Sequence, residues 1–154
     1  MMEQLPHHYR VTAAGAADGP VELRHNRLPV LRSASPSQFG GPGNLWSPET
    51  LLVAALADCF ILTFRAIARA SKLSWLSLEC DVTGTLDRTD GIQFTRFDIV
   101  ANLTVDAEVN SSLANRALEK AERSCLISNS LKAPIHLTCS ITPALAVGAA
   151  IADR

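Results

Sequence analysis

Aromatic residues and net charge are both scarce in this chain of 154 residues. Phe, Trp and Tyr make up 5% of the chain, and 14 Lys and Arg against 15 Asp and Glu give a formal net charge of −1. Proteins that bind nucleic acid or anionic lipid use a surplus of positive charge, and single-stranded binders add aromatic stacking platforms. We therefore expect no nucleic-acid partner and no membrane partner.

The chain also lacks several motifs that would indicate other classes of protein. It does not open with the basic, apolar and cleavage segments of a secretory signal, so we expect a cytoplasmic protein whose four cysteines are reduced thiols. No cysteine pair has the CxxC form, and His25 and His136 lack partners at metal-ligand spacing, so we expect no metal and no cofactor. The glycines at residues 40–43 precede a helix but lack a phosphate-binding lysine.

The most apolar segment of the chain is a helix predicted from Ser47 to Ser71. Ser47 suits the N-cap, Pro48 suits the first helical position and Glu49 suits the positively polarised first turn. The apolar run that follows, residues 51–64, is shorter than the roughly 20 residues that a bilayer requires. A helix that is apolar on nearly all faces then belongs at the centre of a domain.

Alternating and helical patterns give the remaining elements. Strands are predicted at residues 9–14, 21–24, 76–86, 93–105 and 135–141, and residues 28–31 are a candidate continuation of the second. One face of the strand at 76–86 contains Leu76, Leu78, Cys80, Val82 and Leu86. Asp90-Gly91 predicts a hairpin turn. This order predicts an α+β domain with a sheet packed against two helices. We expect one domain over residues 9–142, a flexible N-terminus at 1–8 and a C-terminal tail at 143–154.

The second helix is predicted to begin at a cap provided by Asn110, Ser111 or Ser112. Its buried stripe is predicted to contain Leu113, Ala117 and Ala121, and one further turn of this stripe reaches Cys125.

Periodicity separates the four cysteines into two kinds. Cys80 and Cys139 lie in the apolar phase of predicted strands, where cysteine behaves as a small hydrophobic side chain. Cys59 and Cys125 lie on the two helices that must cover the sheet, so the two thiols can face each other. From spacing alone, this pair is either core packing or a peroxidatic and a resolving thiol.

The segments around these two thiols resemble the OsmC/Ohr family, the osmotically induced and organic hydroperoxide resistance proteins. The matching segments are residues 39–43, residues 47–60 around Cys59 and residues 117–130 around Cys125. The resemblance covers roughly residues 9–142. It implies an OsmC-like fold, in which an antiparallel sheet packs on a long central helix and a second helix. It also implies an intertwined homodimer with two shared active sites.

The activity that the resemblance implies is thiol-dependent reduction of organic hydroperoxides in oxidative-stress defence. Cys59 would attack the peroxide as a thiolate and become a sulfenic acid, with which Cys125 would condense to form a disulfide. A dithiol reductant, lipoyl-type or a small thiol, would restore both cysteines. No cofactor is implied.

The resemblance also implies an arginine that activates Cys59 and is oriented by a glutamate matching Glu49. The family's two arginine positions hold no arginine here, so Arg32 is the expected substitute, with Arg27 as runner-up. Glu49 lies ten residues before Cys59, about 15 Å along a helix, so it most simply serves the site of a second subunit.

The missing arginine motivates an alternative to the peroxidase. In this alternative the chain keeps the OsmC-like dimer and its apolar pocket without efficient peroxidase activity. It would then bind a small apolar or electrophilic ligand.

Overall fold

The computed structural model describes residues 3–145 and forms two compact units. The first unit extends to Leu52 and the second begins at Val53, so the boundary falls inside the long helix. The predicted C-terminal tail lies, from residue 146 onward, outside the described residues.

The first unit contains a small antiparallel sheet with strand order β1-β2-β3. Its strands are β1 (Thr12–Ala14), β2 (Val21–Arg24) and β3 (Leu31–Ser33). The prediction for β2 is confirmed, whereas β1 is shorter than predicted.

The candidate continuation at residues 28–31 is wrong except for its last residue. Leu28 donates its N–H to the carbonyl of His25 at 3.2 Å, and Arg27 has φ of 62°, so the chain turns there and β3 begins at Leu31. After β3, a loop with one 3₁₀ turn (Ser37–Phe39) leads to the long helix.

The long helix α1 (Pro48–Ala70) begins where the capping residues predict. The Thr50 N–H donates to Ser47 Oγ at 3.2 Å, and the Ser47 N–H donates to Thr50 Oγ1 at 2.8 Å. This reciprocal arrangement satisfies donors that the helix start otherwise leaves free.

The buried side of α1 is a narrow stripe. It contains Leu56, Phe60, Phe64 and Ala68, one residue every four positions. Phe64 packs edge-on against Trp75, with ring centroids 5.3 Å apart. By length and composition alone α1 is apolar enough to cross a membrane, yet 22% of its most apolar window is buried within this chain. A core helix of a soluble protein passes the same test of length and composition. In α1, most of this window is not buried within the described residues.

The second unit is built on a three-stranded sheet with order β4-β5-β6. Its strands are β4 (Trp75–Arg88), β5 (Ile92–Val105) and β6 (Ile135–Pro143). The Asp90-Gly91 turn joins β4 and β5 as the predicted antiparallel hairpin, and the inward face of β5 is buried from Phe97 to Val105. The α+β prediction is confirmed.

One pairing in this sheet differs from the expected antiparallel arrangement. β6 runs parallel to β5, and Ala101 pairs with Cys139 at the centre of this ladder. A parallel neighbour needs a long crossover connection. That connection contains α2 (Ser111–Ser124) and a 3₁₀ turn (Ser128–Ser130). Cys125 directly follows the last residue of α2.

Two side chains lie on the opposite face from the one predicted. A register shift between Trp75 and Ser77 moves Trp75 inward and leaves Leu76 exposed. In α2 the buried stripe is displaced by one position. It contains Ala114, Ala117, Leu118 and Ala121, and Leu113 is 44% exposed. The predicted cap is confirmed, because Asn110 accepts the N–H of Ser112 at 2.8 Å.

Gly84 allows α1 to approach the sheet closely. A Cβ at this position would lie 2.8 Å from Phe94 Cε1 and 3.0 Å from Val53 Cγ2. Phe94 stacks on Phe97 at a centroid distance of 5.0 Å, so the space above Gly84 is already filled. Any larger side chain must displace the rings or the helix.

Candidate active site

Cys59 lies at the edge of the buried stripe of α1. It precedes the fully buried Phe60, and its own side chain is half-buried. Thr63 follows one turn later, with its Oγ1 4.0 Å from the Cys59 sulfur. At this position apolar neighbours cover part of the Cys59 side chain, and the rest of it is accessible.

Cys125 is placed by the end of α2. It is fully buried, and its N–H donates to the carbonyl of Glu122 at 3.2 Å as the helix ends. Its sulfur lies 3.5 Å from the N–H of Ser128 in the following turn. Cys59 and Cys125 each affect the pKa of the other, so α1 and α2 place these two cysteines near each other. Their predicted redox roles stay predictions.

The surroundings of Cys59 favour its thiolate. Burial is the largest single influence and raises its pKa. Four hydrogen bonds act in the other direction and together give a pKa below the ordinary value of 9.0. Their donors are the backbone of Ile127, the thiol of Cys125, the hydroxyl of Thr63 and the backbone of Leu126.

The surroundings of Cys125 favour its protonated form. Burial raises the pKa of Cys125 to about 11, with a further contribution from the negative charge that develops on Cys59. The pKa values of the two thiols are therefore shifted in opposite directions. A lowered pKa favours the thiolate at Cys59, and a raised pKa favours the protonated thiol at Cys125.

The other two cysteines lie in the sheet, as their strand positions predict. Cys80 and Cys139 both pair with Ala101, one from each side. Burial raises the pKa of Cys80 to about 11, and Asp81 and Cys125 add to this. The pKa of Cys139 is raised by burial and by Glu119. Among residues 3–145, no hydrogen bond lowers the pKa of either thiol, so both favour the protonated form.

Glu49 lies in the first unit, at the start of α1. Its Oε2 is buried and has no hydrogen-bond partner among the described residues. It lines a cleft of about 840 Å³ whose other walls are mostly Pro, Ala, Val, Leu and Phe side chains of residues 13–51. A buried carboxylate oxygen without a donor is costly unless a partner group satisfies it.

The two arginines proposed to act with Glu49 are both exposed. Arg32 lies on β3 opposite Glu22, and Arg27 lies in the turn before that strand. The ion pairs among residues 3–145 are Arg24–Glu22 and Arg96–Asp98, so within the described chain no arginine pairs with Glu49. The predicted roles of Arg32 and Arg27 stay predictions.

The sequence reasoning missed three contributors to the environment of Cys59. Two are main-chain N–H groups, of Leu126 and Ile127, and the third is the Thr63 hydroxyl. Thr63 follows Cys59 by four residues on a predicted helix, so its position was a usable signal. The residue types at positions 126 and 127 do not predict main-chain donors. The sequence feature that indicates the turn containing them is the turn-forming Ser-Asn-Ser at residues 128–130.

Two neighbouring thiols with pKa values shifted in opposite directions, held by two helices against a mixed sheet, are what the structure places at this site. A family model for OsmC-like proteins matches residues 41–140, and the chain belongs to this family. A relative in Bacillus subtilis, the uncharacterized protein YmaD, is 31% identical over 107 residues. That match covers 66% of this chain and 71% of YmaD.

Solved structures of similar proteins share the fold. A crystal structure of an organic hydroperoxide resistance protein OsmC from Legionella pneumophila is 25% identical. Its TM-score is 0.71, with 90% of this chain and 99% of that chain covered. An OsmC-like protein from Mycoplasma pneumoniae is 17% identical, with a TM-score of 0.76 and coverage of 89% and 99% respectively.

Proposed function

We propose that this protein is a thiol peroxidase that reduces organic hydroperoxides through Cys59 and Cys125. The observation that carries this proposal is the proximity of two thiols whose pKa values are shifted in opposite directions. The pKa of Cys59 is below its ordinary value, and that of Cys125 is about 11. The family, and the Legionella relative named for organic hydroperoxide resistance, support the same chemistry.

The proposed reaction has three steps. The Cys59 thiolate attacks the distal oxygen of the hydroperoxide, the O–O bond breaks, and the alkoxide takes a proton from solvent to leave as an alcohol. The Cys125 thiol then attacks the Cys59 sulfenic acid, forming the disulfide and releasing water. A dithiol of the lipoyl type reduces the disulfide by exchange and becomes a disulfide itself.

We also propose that the protein works as a cytoplasmic homodimer. The exposed apolar surface of α1 supports a second copy as its partner, since only 22% of its most apolar window is buried within one chain. The buried, unpartnered oxygen of Glu49 supports a role at a site completed by that second copy.

The proposal is tested by steady-state turnover of cumene hydroperoxide with dihydrolipoamide as reductant. We expect the wild-type protein to consume peroxide, Cys59→Ser to abolish turnover, and Cys139→Ser, a half-buried thiol of the sheet, to retain it. Full activity of the Cys59→Ser variant would rule out the mechanism.

A second candidate function is a binding module for a small apolar or electrophilic ligand. The observation that favours it is Glu49, whose carboxylate has no arginine partner within the described residues. The discriminating measurement is the pKa of Cys59 itself. A value below about 7 supports the peroxidase, and the absence of thiolate near neutral pH supports the binding module.

A further inference from the structure

Thr63 differs in chemistry from the other neighbours of Cys59 on α1. On a helix, the neighbours of a residue lie three and four positions away in either direction. Four residues hold these positions around Cys59: Ala55, Leu56, Leu62 and Thr63. Only Thr63 has a side-chain hydrogen-bond donor. Helical side chains lean toward the N-terminus, so the Thr63 side chain covers the turn that contains Cys59.

The hydroxyl of Thr63 bonds to a sulfur rather than to the main chain. A Ser or Thr within a helix commonly donates to the carbonyl four residues earlier. Ser71, directly after α1, does so, with its Oγ 2.9 Å from the carbonyl oxygen of Ile67. Within the described residues, the hydrogen bond of the Thr63 hydroxyl is instead to Cys59, with Oγ1 and Sγ 4.0 Å apart. The Thr63 hydroxyl is therefore available to the sulfur and is not committed to the helix backbone.

The surroundings of this pair restrict both side chains. Cys59 and Thr63 are each half-buried, and each precedes a fully buried phenylalanine of the α1 stripe, Phe60 and Phe64 respectively. A β-branched threonine on a helix has few side-chain rotamers, so it loses little entropy when its hydroxyl is held in one place. A hydrogen bond in partly desolvated surroundings is also stronger than the same bond in water.

We propose that Thr63 is a positioning residue whose hydroxyl donates a hydrogen bond to the Cys59 thiolate and holds its sulfur for attack on the peroxide. The catalytic part of this proposal rests on the proposed function. Hydrogen bonds to an ionised acceptor are about twice as strong as those between neutral groups, so the bond favours the thiolate over the thiol. In agreement, the Thr63 hydroxyl is among the groups that lower the pKa of Cys59.

Thr63→Val is the variant that tests this most directly. Valine has nearly the shape and the helix propensity of threonine, and it replaces the hydroxyl by a methyl group among the apolar side chains of α1. Thr63→Ser is the matched control, because serine keeps the hydroxyl and loses the methyl group. Thr63→Ala is a second variant without the hydroxyl, and alanine is the residue that a helix accommodates best.

The measurement is the rate of Cys59 alkylation by iodoacetamide as a function of pH, followed by peptide mass spectrometry. The bond is long, so we expect the midpoint of the Cys59 profile to rise by about half a pKa unit in Thr63→Val and Thr63→Ala. The midpoint in Thr63→Ser is expected to match that of the wild type. Equal midpoints in Thr63→Val and Thr63→Ser would overturn the proposal.

The alkylation rate at the high-pH plateau separates a lost hydrogen bond from a change in access. A thiolate of higher pKa is intrinsically more nucleophilic, so loss of the hydroxyl should raise this plateau or leave it unchanged. A lowered plateau with the wild-type midpoint in Thr63→Val would mean that the side chain only controls access to the sulfur. That result would also overturn the positioning role.

Two titratable groups near Cys59 act on the same profile. Cys125 affects the pKa of Cys59 from the end of α2, and Asp58 precedes Cys59 on α1 with an exposed side chain. Both groups are the same in Thr63→Val and Thr63→Ser. A difference between the midpoints of these two variants therefore reports the hydroxyl.

These measurements separate the positioning role from the peroxidase, because alkylation does not involve peroxide turnover. A raised midpoint in Thr63→Val with no wild-type turnover retains the Thr63–Cys59 hydrogen bond and removes the peroxidase. Wild-type turnover with an unchanged midpoint retains the peroxidase and removes the role of Thr63. If both proposals hold, the pH profile of kcat/KM for cumene hydroperoxide moves in Thr63→Val by the same half unit.

Discussion

Burial acts on all four thiols in the same direction, and at Cys59 hydrogen-bond donors overcome it. The pKa of Cys59 is lowered, whereas those of the other three cysteines are raised. Strand and helix periodicity predicted which two cysteines would meet. Their ionisation could not be predicted from periodicity, because the pKa of Cys59 depends on main-chain and side-chain donors whose positions are set by the folded chain.

The half-buried thiol of Cys80 makes the free energy of unfolding depend on pH in the alkaline range. The folded state holds the Cys80 proton up to about pH 11, whereas the unfolded chain releases it near the ordinary pKa of 9.0. Between these values the unfolded state binds fewer protons, so the free energy of unfolding falls as pH rises. We expect this fall in urea unfolding, with a shallower slope in Cys80→Ala.

The slope in Cys80→Ala is expected to remain negative, because Cys125 has the same raised pKa of about 11. The control is Val82→Ala, which removes an inward side chain from the same strand without removing a titrating group. The explanation is incorrect if Val82→Ala and Cys80→Ala flatten the slope equally.

Helix α1 and the β4–β5 hairpin were the elements that the sequence predicted best. The irregular positions of the fold could not be predicted from it. Ser47, Pro48 and Glu49 identify the helix start in the sequence, and Asp90-Gly91 identifies the turn. The register shift near Trp75 depends on packing against Phe64 rather than on local pattern. The parallel pairing of β6 follows from the crossover through α2, which element order alone left open.

The contact between α1 and the sheet depends on the absence of a side chain at Gly84. Gly84→Ala is expected to reduce the free energy of unfolding by about 1–3 kcal/mol, because the new Cβ would meet Val53 and Phe94 at 2.8–3.0 Å. Urea unfolding measures the loss.

The matched test is a double-mutant cycle with Val53→Ala, which shortens one of the three side chains that a Cβ at residue 84 would meet, Val53, Phe94 and Phe97. We expect the double variant to be less destabilised than the sum of the single variants. Strict additivity would mean that crowding against Val53 is not the cause of the Gly84→Ala effect.

At the scale of the whole molecule, one chain covers only part of the apolar surface of α1. The sequence predicted a helix apolar on nearly all faces, and the structure buries one stripe of it, Leu56, Phe60, Phe64 and Ala68. A surface of this kind typically marks an interface with another chain. The sequence could identify the apolar helix but not which of its faces the chain itself covers, since that depends on how the sheet packs beneath it.

A charge on the uncovered face of α1 should weaken the proposed homodimer. Leu62 lies on that face and is 50% exposed, so Leu62→Glu is expected to shift sedimentation velocity from dimer toward monomer. Ile92→Glu, at an exposed position beside the hairpin turn, should leave the dimer unchanged. A wild-type monomer, or an unaltered Leu62→Glu dimer, would contradict the assignment of α1 as the interface.

The most direct test of the central claim is the fate of the thiols after one equivalent of cumene hydroperoxide. The protein is alkylated, digested without reductant and mapped by mass spectrometry. We expect a disulfide between Cys59 and Cys125, with Cys80 and Cys139 recovered as thiols. Recovery of Cys59 unmodified, or of oxidised Cys59 beside an alkylated Cys125, would contradict the two-thiol mechanism.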